Sequence, residues 1–434
     1  MAARVVIAGG GFGGMYAARQ LERRRKPELA TVTLVNDVNF LLYAPLLPGV
    51  AGGTLEPRHV VVPLREQLRA TEVRMGRVAG ADPERSVLHV ESLAGEAEEL
   101  GYDHLIVALG STSRNPSIPG LDEHAIPFKS VADALALRNR VIDCFERAEQ
   151  TDDPGERDSH LSYVFAGGGY TGVEALAELE DFAAAVIRHY PRCKKQGMRW
   201  LLVEGEPRIM SREMPPGLSE FTTRELGRRG IEVQTGVHVD RLTERTVHLT
   251  TGETIPARTF VWTAGIAPCA AVAELGLPLA ARGRIEVDSC MQVEGHDNVW
   301  AIGDAAAVPD PARPDDPCPQ TAQHALRQGR AVARNVAAAL RGGELRPFGY
   351  RTKGTVALLG RHEGVASVLG LRLRGFPAWF VGRSYHLAAM PGFARRARLV
   401  SDWTLGMLFA RDSAALGPSG EPGAPRPGGP PGSG

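Results

Sequence analysis

The chain has 434 residues, with Lys and Arg together numbering 50 and Asp and Glu also 50. That length allows two or three cored domains, and the balanced charge gives no electrostatic case for a nucleic-acid partner. Five scattered cysteines without a Cys-x-x-Cys pair argue against a disulfide scaffold or a metal site, and no run reaches the ~18 apolar residues of a spanning helix.

The first apolar run, Val5-Val6-Ile7-Ala8, begins about five residues from Met1, which leaves no room for the apolar core of a signal peptide. It leads directly into Gly9-Gly10-Gly11-Phe12-Gly13-Gly14 and then a helical pattern. This order of strand, G-x-G-x-x-G and helix is a dinucleotide fingerprint in the context that gives it meaning. The first glycine turns tightly, the second admits a pyrophosphate, and the third packs helix on strand. The pyrophosphate then meets the unpaired N–H groups of the helix N-terminus. A second apolar strand, Val32 to Val35, ends at Asn36, with Asp37 next, and a third, Leu105 to Leu109, ends at Gly110.

The same series then recurs. Tyr163 to Ala166 leads into Gly167-Gly168-Gly169-Tyr170-Thr171-Gly172, Trp200 to Val203 ends at Glu204, and Phe260 to Ala264 ends at Gly265. The period is far too long for a solenoid, so the chain reads as two related βαβ-type domains. A further strand, Asn298 to Ile302, ends in Gly303-Asp304 and is followed by the helical pattern Ala322 to Leu340. Lacking its own fingerprint, it is expected to complete the first domain, with the second inserted within it. The expected division is 1–115 and 285–345 for the first dinucleotide domain and 116–284 for the second. A separate C-terminal region spans 346–416, and a Pro/Gly-rich tail, 417–434, is expected to be disordered.

Two fingerprints imply two dinucleotides, most economically FAD in the first site and NADH in the second. Glu204 is placed to accept from an adenosine 2′-hydroxyl and to repel a 2′-phosphate; its plainer role is a solvated acid at a strand end. Asn36 holds the matching position and bonds a ribose less strongly than a carboxylate does. Glu174, in the first turn of the second helix, either complements the helix dipole or points sideways to the junction of nicotinamide and flavin. Asp304 is either a helix N-cap or an acceptor for the flavin's ribityl hydroxyls. Val78 is assigned to the cofactor-binding set together with Gly110, Gly265 and Gly303.

On these residues the chain resembles flavoproteins with two dinucleotide-binding domains and, among them, the type II NADH dehydrogenases, single-subunit NADH:quinone oxidoreductases. The likeness covers about residues 4–411 and includes Asn39 to Leu47, Thr171 to Glu174, Trp300 to Ala305, Thr321 to Gly329, Lys353-Gly354, Trp379, and Tyr385 to Leu387. It implies an α/β fold of two Rossmann-like domains, the NAD domain inserted in the FAD domain, and a small C-terminal region with an amphipathic membrane-surface helix. It also implies hydride transfer from NADH to FAD, then two electrons to menaquinone or ubiquinone at the cytoplasmic face of the membrane, and it leaves room for a homodimer. Gln323 matches the first glutamine of the family's quinone motif. Arg327 stands where the second usually lies, with Gln328 one residue away. Asn36 replaces the family's acid and Ala44 a common glutamine. Lys353 is expected either to offset charge on reduced flavin or to be a surface cation.

For the membrane helix, Leu399, Val400, Trp403, Met407 and Ala410 share one helical face, while Leu405, Leu408 and Phe409 lie off it. Arg395, Arg396, Arg398 and Arg411 flank the segment, and Trp403 suits a headgroup boundary. The plainer reading is a core helix with solvated ends. Disulfide reductases and sulfide:quinone oxidoreductases of this fold need a cysteine pair by the flavin, and Cys318 alone lies in a suitable loop. Two alternatives stay open: a reductase with a soluble acceptor of ferredoxin or rubredoxin type, and an NADH-sensing flavoprotein with little turnover.

Overall fold

The structure, a computed structural model, describes residues 2–23, 30–352 and 354–415. Two sheets organise it. The first has seven strands in the order Val299–Ala301, His104–Val107, Ala3–Ala8, Ala30–Asn36, Glu72–Asp82, Val87–Ser92 and Ala97–Gly101. Its first four pairings are parallel and its last two antiparallel. The Ala3–Ala8 strand lies inside this sheet with Val5 to Ala8 buried, which is why it reads as an unbroken apolar run.

The second sheet is wholly parallel, ordered Ile126–Pro127, Thr259–Trp262, Ser162–Ala166, Arg199–Glu204 and Ile231–Thr235. All five residues of Ser162–Ala166 are buried. The insertion expected from the repeat is present. The strand Val299–Ala301 pairs with His104–Val107 and completes the first sheet after the second has been built. Between the two sheets, Ser111–Ser113 runs out beside Ile266–Pro268 coming back, as an antiparallel pair. Gly110 and Gly265, the glycines that end the repeated strands, open these two connecting segments with φ of 71° and 76°, a region that favours glycine.

The Ala322–Ala339 helix closes the first domain over the fingerprint helix Phe12–Arg23. Their backbones touch: a Cβ at Gly329 would lie 2.2 Å from the Gly13 carbonyl oxygen. Thr321 begins the longer helix, its Oγ1 accepting the His324 N–H at 3.3 Å. After it come three antiparallel strands, Gly354–Leu358, Gly364–Val368 and Leu371–Arg374, and two helices, Phe376–Ala389 and Phe393–Leu408.

The last helix corrects one expectation. The stripe of Leu399, Val400, Trp403 and Met407 is divided between inside and outside, and Ala410 lies beyond the helix end. Leu399 is fully buried, Trp403 is half-buried, and Val400 and Met407 are exposed. The cause is polar. Asp402 accepts from the Glu56 N–H at 3.1 Å and pairs with His59 at 2.6 Å, and Arg395 donates to the Arg58 carbonyl at 2.6 Å. These ties turn the Asp402 face inward and leave Leu405, Leu408 and Phe409 outside, Leu408 at 72 % exposure. The helix is neither a core helix nor the stripe first drawn. Among the described residues no helix is long and apolar enough to cross a membrane. Lys353 and the 417–434 tail lie outside the described residues.

Candidate active site

The two fingerprints fold into nearly the same object. Gly9 and Gly167 have φ of 104° and 108°, and their N–H groups donate to Val35 and Val203 at 2.8 and 2.9 Å. A Cβ at Gly14 would lie 1.8 Å from the Gly9 carbonyl oxygen, and one at Gly172 would lie 1.9 Å from that of Gly167. Only glycine allows helix and strand to meet so closely. At the middle glycine the opposite holds. A Cβ at Gly11 would meet nothing within 4 Å, and one at Gly169 only the Glu213 carboxylate at 3.9 Å. Each turn therefore leaves open space in front of a helix N-terminus, the shape and polarity a pyrophosphate needs. Phe12, Gly13, Tyr170 and Thr171 form the first turns of these helices.

The residues at the ends of the neighbouring strands also correspond. Asn36 Oδ1 accepts from the Gly10 N–H at 2.7 Å, and Glu204 Oε2 accepts from the Gly168 N–H. Beyond that they differ. Asn36 Nδ2 donates to the Val38 carbonyl at 2.7 Å, a bond no carboxylate could make. Glu204 Oε1 instead accepts from the Glu206 N–H at 2.8 Å. Glu213, which sequence reasoning missed, stands at the mouth of the second cradle; burial pushes its pKa up, and the nearby Glu204 charge adds to that push. Two carboxylates, Glu204 and Glu213, therefore face the glycines of the second cradle, where the amide of Asn36 faces those of the first.

Asp304 joins the first cradle through its neighbour, since Ile302 Cδ1 would be 3.0 Å from a Cβ at Gly13. It is not an N-cap: it lies within a short 3-10 turn, Gly303–Ala305, and accepts from the Ser111 hydroxyl at 2.7 Å. Burial pushes Lys129 down, and Asp304 opposes that shift. Gln328, buried, accepts the Gly303 N–H on Oε1 at 2.8 Å and so holds this turn in place. Val78 is buried in the Glu72–Asp82 strand opposite Val90.

Glu174 points sideways from its helix. Its Oε1 accepts the Leu358 N–H at 2.7 Å, so it reaches the C-terminal sheet. Part of the side chain reaches the surface while the carboxyl lies inside. Burial pushes its pKa up to about 8, against the pull of the Leu358 N–H, and Glu178 adds to the rise. The same helix is fastened to the C-terminal region at further points. Arg229 donates to Glu180 at 2.9 Å, to Asp181 at 3.2 Å and to the Leu359 carbonyl at 2.6 Å. The Arg361 N–H donates to Asp181, and Arg411 lies 3.6 Å from both Glu178 and Asp181. Short helix Leu47–Ala51, from the motif that follows the first ribose position, packs on this helix from the other domain.

A second cluster surrounds Gln323. Its Oε1 accepts from the Tyr350 hydroxyl at 2.8 Å, which leaves both amide protons free to donate. Arg327 lies 4.0 Å over the Tyr350 ring and donates to the Gln323 carbonyl at 2.9 Å. Arg327 and Gln328 thus part company: the arginine stays with Gln323, and the glutamine serves the Gly303 turn. Nearby, Phe12 meets Tyr43 edge to face at 5.5 Å, and the Tyr43 hydroxyl lies 3.4 Å from His386 Nδ1. Burial pushes His386 down to about 4, so it is neutral. The five cysteines are all free, and no two of them form a pair.

The pyridine nucleotide-disulphide oxidoreductase family matches residues 3–329. The type II NADH:quinone oxidoreductase Ndh of Mycobacterium tuberculosis is 31% identical, over 94% of this chain and 89% of that protein. A type II NADH:quinone oxidoreductase of Staphylococcus aureus is 30% identical, over 87% of this chain and 92% of its own. Among solved structures, NDH2 from Plasmodium falciparum in complex with NADH is similar at a TM-score of 0.86 and 20% identity, covering 95% of this chain and 100% of that one. Sulfide:quinone oxidoreductase from Aquifex aeolicus is similar in fold at a TM-score of 0.69 and 19% identity, over 89% and 90% of the two chains.

Proposed function

Because the chain belongs to the pyridine nucleotide-disulphide oxidoreductase family and, within it, to the type II NADH:quinone oxidoreductases, we propose that it reduces a membrane quinone at the expense of NADH. The chain is an NADH-driven flavoprotein oxidoreductase with FAD as cofactor. The observation that carries the reading is the pair of matching glycine cradles with different ribose residues, on a chain without a redox cysteine pair. FAD, when bound, accepts hydride from NADH and releases two electrons to an acceptor, which is the cofactor's own chemistry.

The chain's residues supply place and charge. The Gly9–Gly14 turn, Asn36 and Asp304 would hold FAD: open space at Gly11 admits the pyrophosphate, and Asp304 keeps one carboxylate oxygen beyond its bond to Ser111. The Gly167–Gly172 turn and Glu204 would hold NADH. A 2′-phosphate there would meet Glu204 and Glu213 together, so NADPH is disfavoured. Glu174, protonated below about pH 8, presents an uncharged carboxyl at the domain junction and adds no repulsion to the nucleotide's phosphates. Gln323, with Tyr350 fixing its amide, would donate from Nε2 to a quinone carbonyl oxygen.

A soluble acceptor calls for no apolar surface at the C-terminus. Phe376, Phe380, Phe393, Leu405, Met407, Leu408 and Phe409 are all exposed there, which supports peripheral attachment to a membrane. The test is NADH oxidation by the yellow holoenzyme with menadione, a water-soluble ubiquinone and ferricyanide. Turnover with quinones is expected; reduction of ferricyanide alone, or binding of NADH without turnover, overturns the reading.

A further inference from the structure

The Ala322–Ala339 helix carries Arg327, Arg330 and Arg334 at helical spacings of three and four, along one face. These three, with Arg346, Phe348 and Tyr350, line a surface groove of about 560 Å³ that no acidic residue lines. Among the described residues, Arg327, Arg330 and Arg346 have no carboxylate within ion-pair distance. The groove is held in shape rather than left to surface side chains. Asn335, buried beneath it, donates to the Cys290 and Arg346 carbonyls at 2.9 and 3.0 Å and accepts the Arg346 N–H at 3.0 Å. Arg330 is carried 5.0 Å over the Tyr16 ring and Arg327 4.0 Å over Tyr350.

The basic surface continues past the groove. Burial pushes the Tyr16 hydroxyl up, against the pull of Arg330, which lies over its ring, and of the more distant charges of Arg19, Arg396 and Arg23. Arg396 belongs to the Phe393–Leu408 helix, and the Arg327 charge opposes the upward push of burial on the Tyr385 hydroxyl in the helix before it. Both helices expose aromatic or aliphatic side chains, Phe393 at 87 %. A guanidinium-lined groove thus borders an apolar surface. That combination suits a molecule with a phosphate head and a hydrocarbon tail. Guanidinium groups bind phosphate oxygens in forked pairs, and Phe348 and Tyr350 supply rings suited to the headgroup level.

We propose that this groove seats the phosphate group of an anionic phospholipid, at the edge of the apolar C-terminal surface. The inference rests on the membrane reading above and adds to it a lipid preference located in named arginines. A small free anion would leave most of the groove unfilled, which favours the lipid.

The test uses the FAD-loaded protein, floated with vesicles of phosphatidylcholine alone or of phosphatidylcholine with phosphatidylglycerol. The wild type is expected to prefer the anionic vesicles. The double variant Arg330→Gln, Arg346→Gln should lose roughly thirtyfold in that binding, since each basic side chain near an anionic surface contributes about fivefold. Its flavin content, menadione reduction and binding to neutral vesicles should not change. An unchanged preference for anionic vesicles in the double variant overturns the proposal. So does displacement of the wild type from those vesicles by millimolar glycerol phosphate or pyrophosphate, which would assign the groove to a soluble anion. The membrane reading fails separately, through Leu405→Ser, Leu408→Ser, Phe409→Ser protein that binds neutral vesicles as well as wild type does.

Discussion

Replacing Glu174 with Gln isolates the effect of one buried ionisable group. The amide keeps an oxygen for the Leu358 N–H, so the bond at 2.7 Å survives, while the ability to ionise is lost. In the folded wild type the carboxyl holds its proton up to about pH 8, whereas in the unfolded chain it ionises from its ordinary value of 4.5. Between those points the folded state binds more protons than the unfolded one, so wild-type stability falls as pH rises and levels off above the folded value. Each unit in that window is worth about 1.4 kcal/mol, which sets an upper bound of about 5 kcal/mol. Part of the side chain reaches the surface, so water offsets some of this, and we expect about 2–3 kcal/mol. Denaturant unfolding of both holoproteins from about pH 5 to about pH 9 measures it. Glu174→Gln should gain on the wild type as pH rises and hold that gain above the upper point. A stability difference that stays constant with pH would show that Glu174 is ionised throughout, and the reasoning about its environment would be wrong. Rapid-mixing traces add a functional arm: the rate of flavin reduction by NADH should bend with pH in the wild type and be flat in the variant.

The glycines of the first fingerprint should separate binding from folding. Gly11→Val enters open space and should yield folded protein without FAD, whereas Gly14→Ala, forced toward the Gly9 carbonyl, should fail to fold; flavin absorbance and circular dichroism distinguish them. Full flavin occupancy in Gly11→Val would remove the pyrophosphate from that site. NADH should exceed NADPH in kcat/KM by at least about tenfold, and Glu204→Ala should narrow that ratio; equal use by the wild type would take Glu204 off the ribose. Gln323→Ala should raise the quinone KM while ferricyanide reduction is kept, and Tyr350→Phe should do the same to a smaller degree because it frees the Gln323 amide to turn. A parallel loss with both acceptors would argue against a separate quinone pocket. Leu405→Ser, Leu408→Ser, Phe409→Ser should release the protein from vesicles with its melting temperature nearly unchanged, since these side chains are already exposed.

What the sequence revealed was local. Each fingerprint puts strand, turn and helix within some fifteen consecutive residues, and the demand for glycine at Gly9, Gly14, Gly167 and Gly172 follows from that short geometry. The insertion was legible for the same reason, as a repeat of strands that end in glycine. The parts that needed distant partners were not. Tyr350 meets Gln323 across 27 residues, and Ser111 meets Asp304 across 193. Nothing near Gln328 says that its side chain turns inward to a glycine N–H rather than outward beside Arg327. The last helix, Phe393–Leu408, shows the limit most clearly. Its apolar periodicity suggested one stripe, but Asp402 pairs with His59 across 343 residues, and that contact rotates the helix and divides the stripe.

The acids of the Tyr170–Val186 helix have a consequence for motion. Glu174, Glu178, Glu180 and Asp181 tie that helix to the Leu358–Arg361 backbone and, through Arg411, to the chain just past the last helix. The Arg411 guanidinium also donates to the Gly52 carbonyl of the other domain at 2.8 Å, so one side chain spans three parts of the molecule. Such cross-bracing resists a swing of that helix against the C-terminal region, because these ties would have to break together, and the Arg411–Gly52 bond extends the brace to the first domain. A frame braced in this way favours nucleotide exchange by small displacements of loops over a wide opening of the domains. On the membrane reading proposed above, docking on a bilayer would leave the spacing between the two glycine cradles as it is in solution.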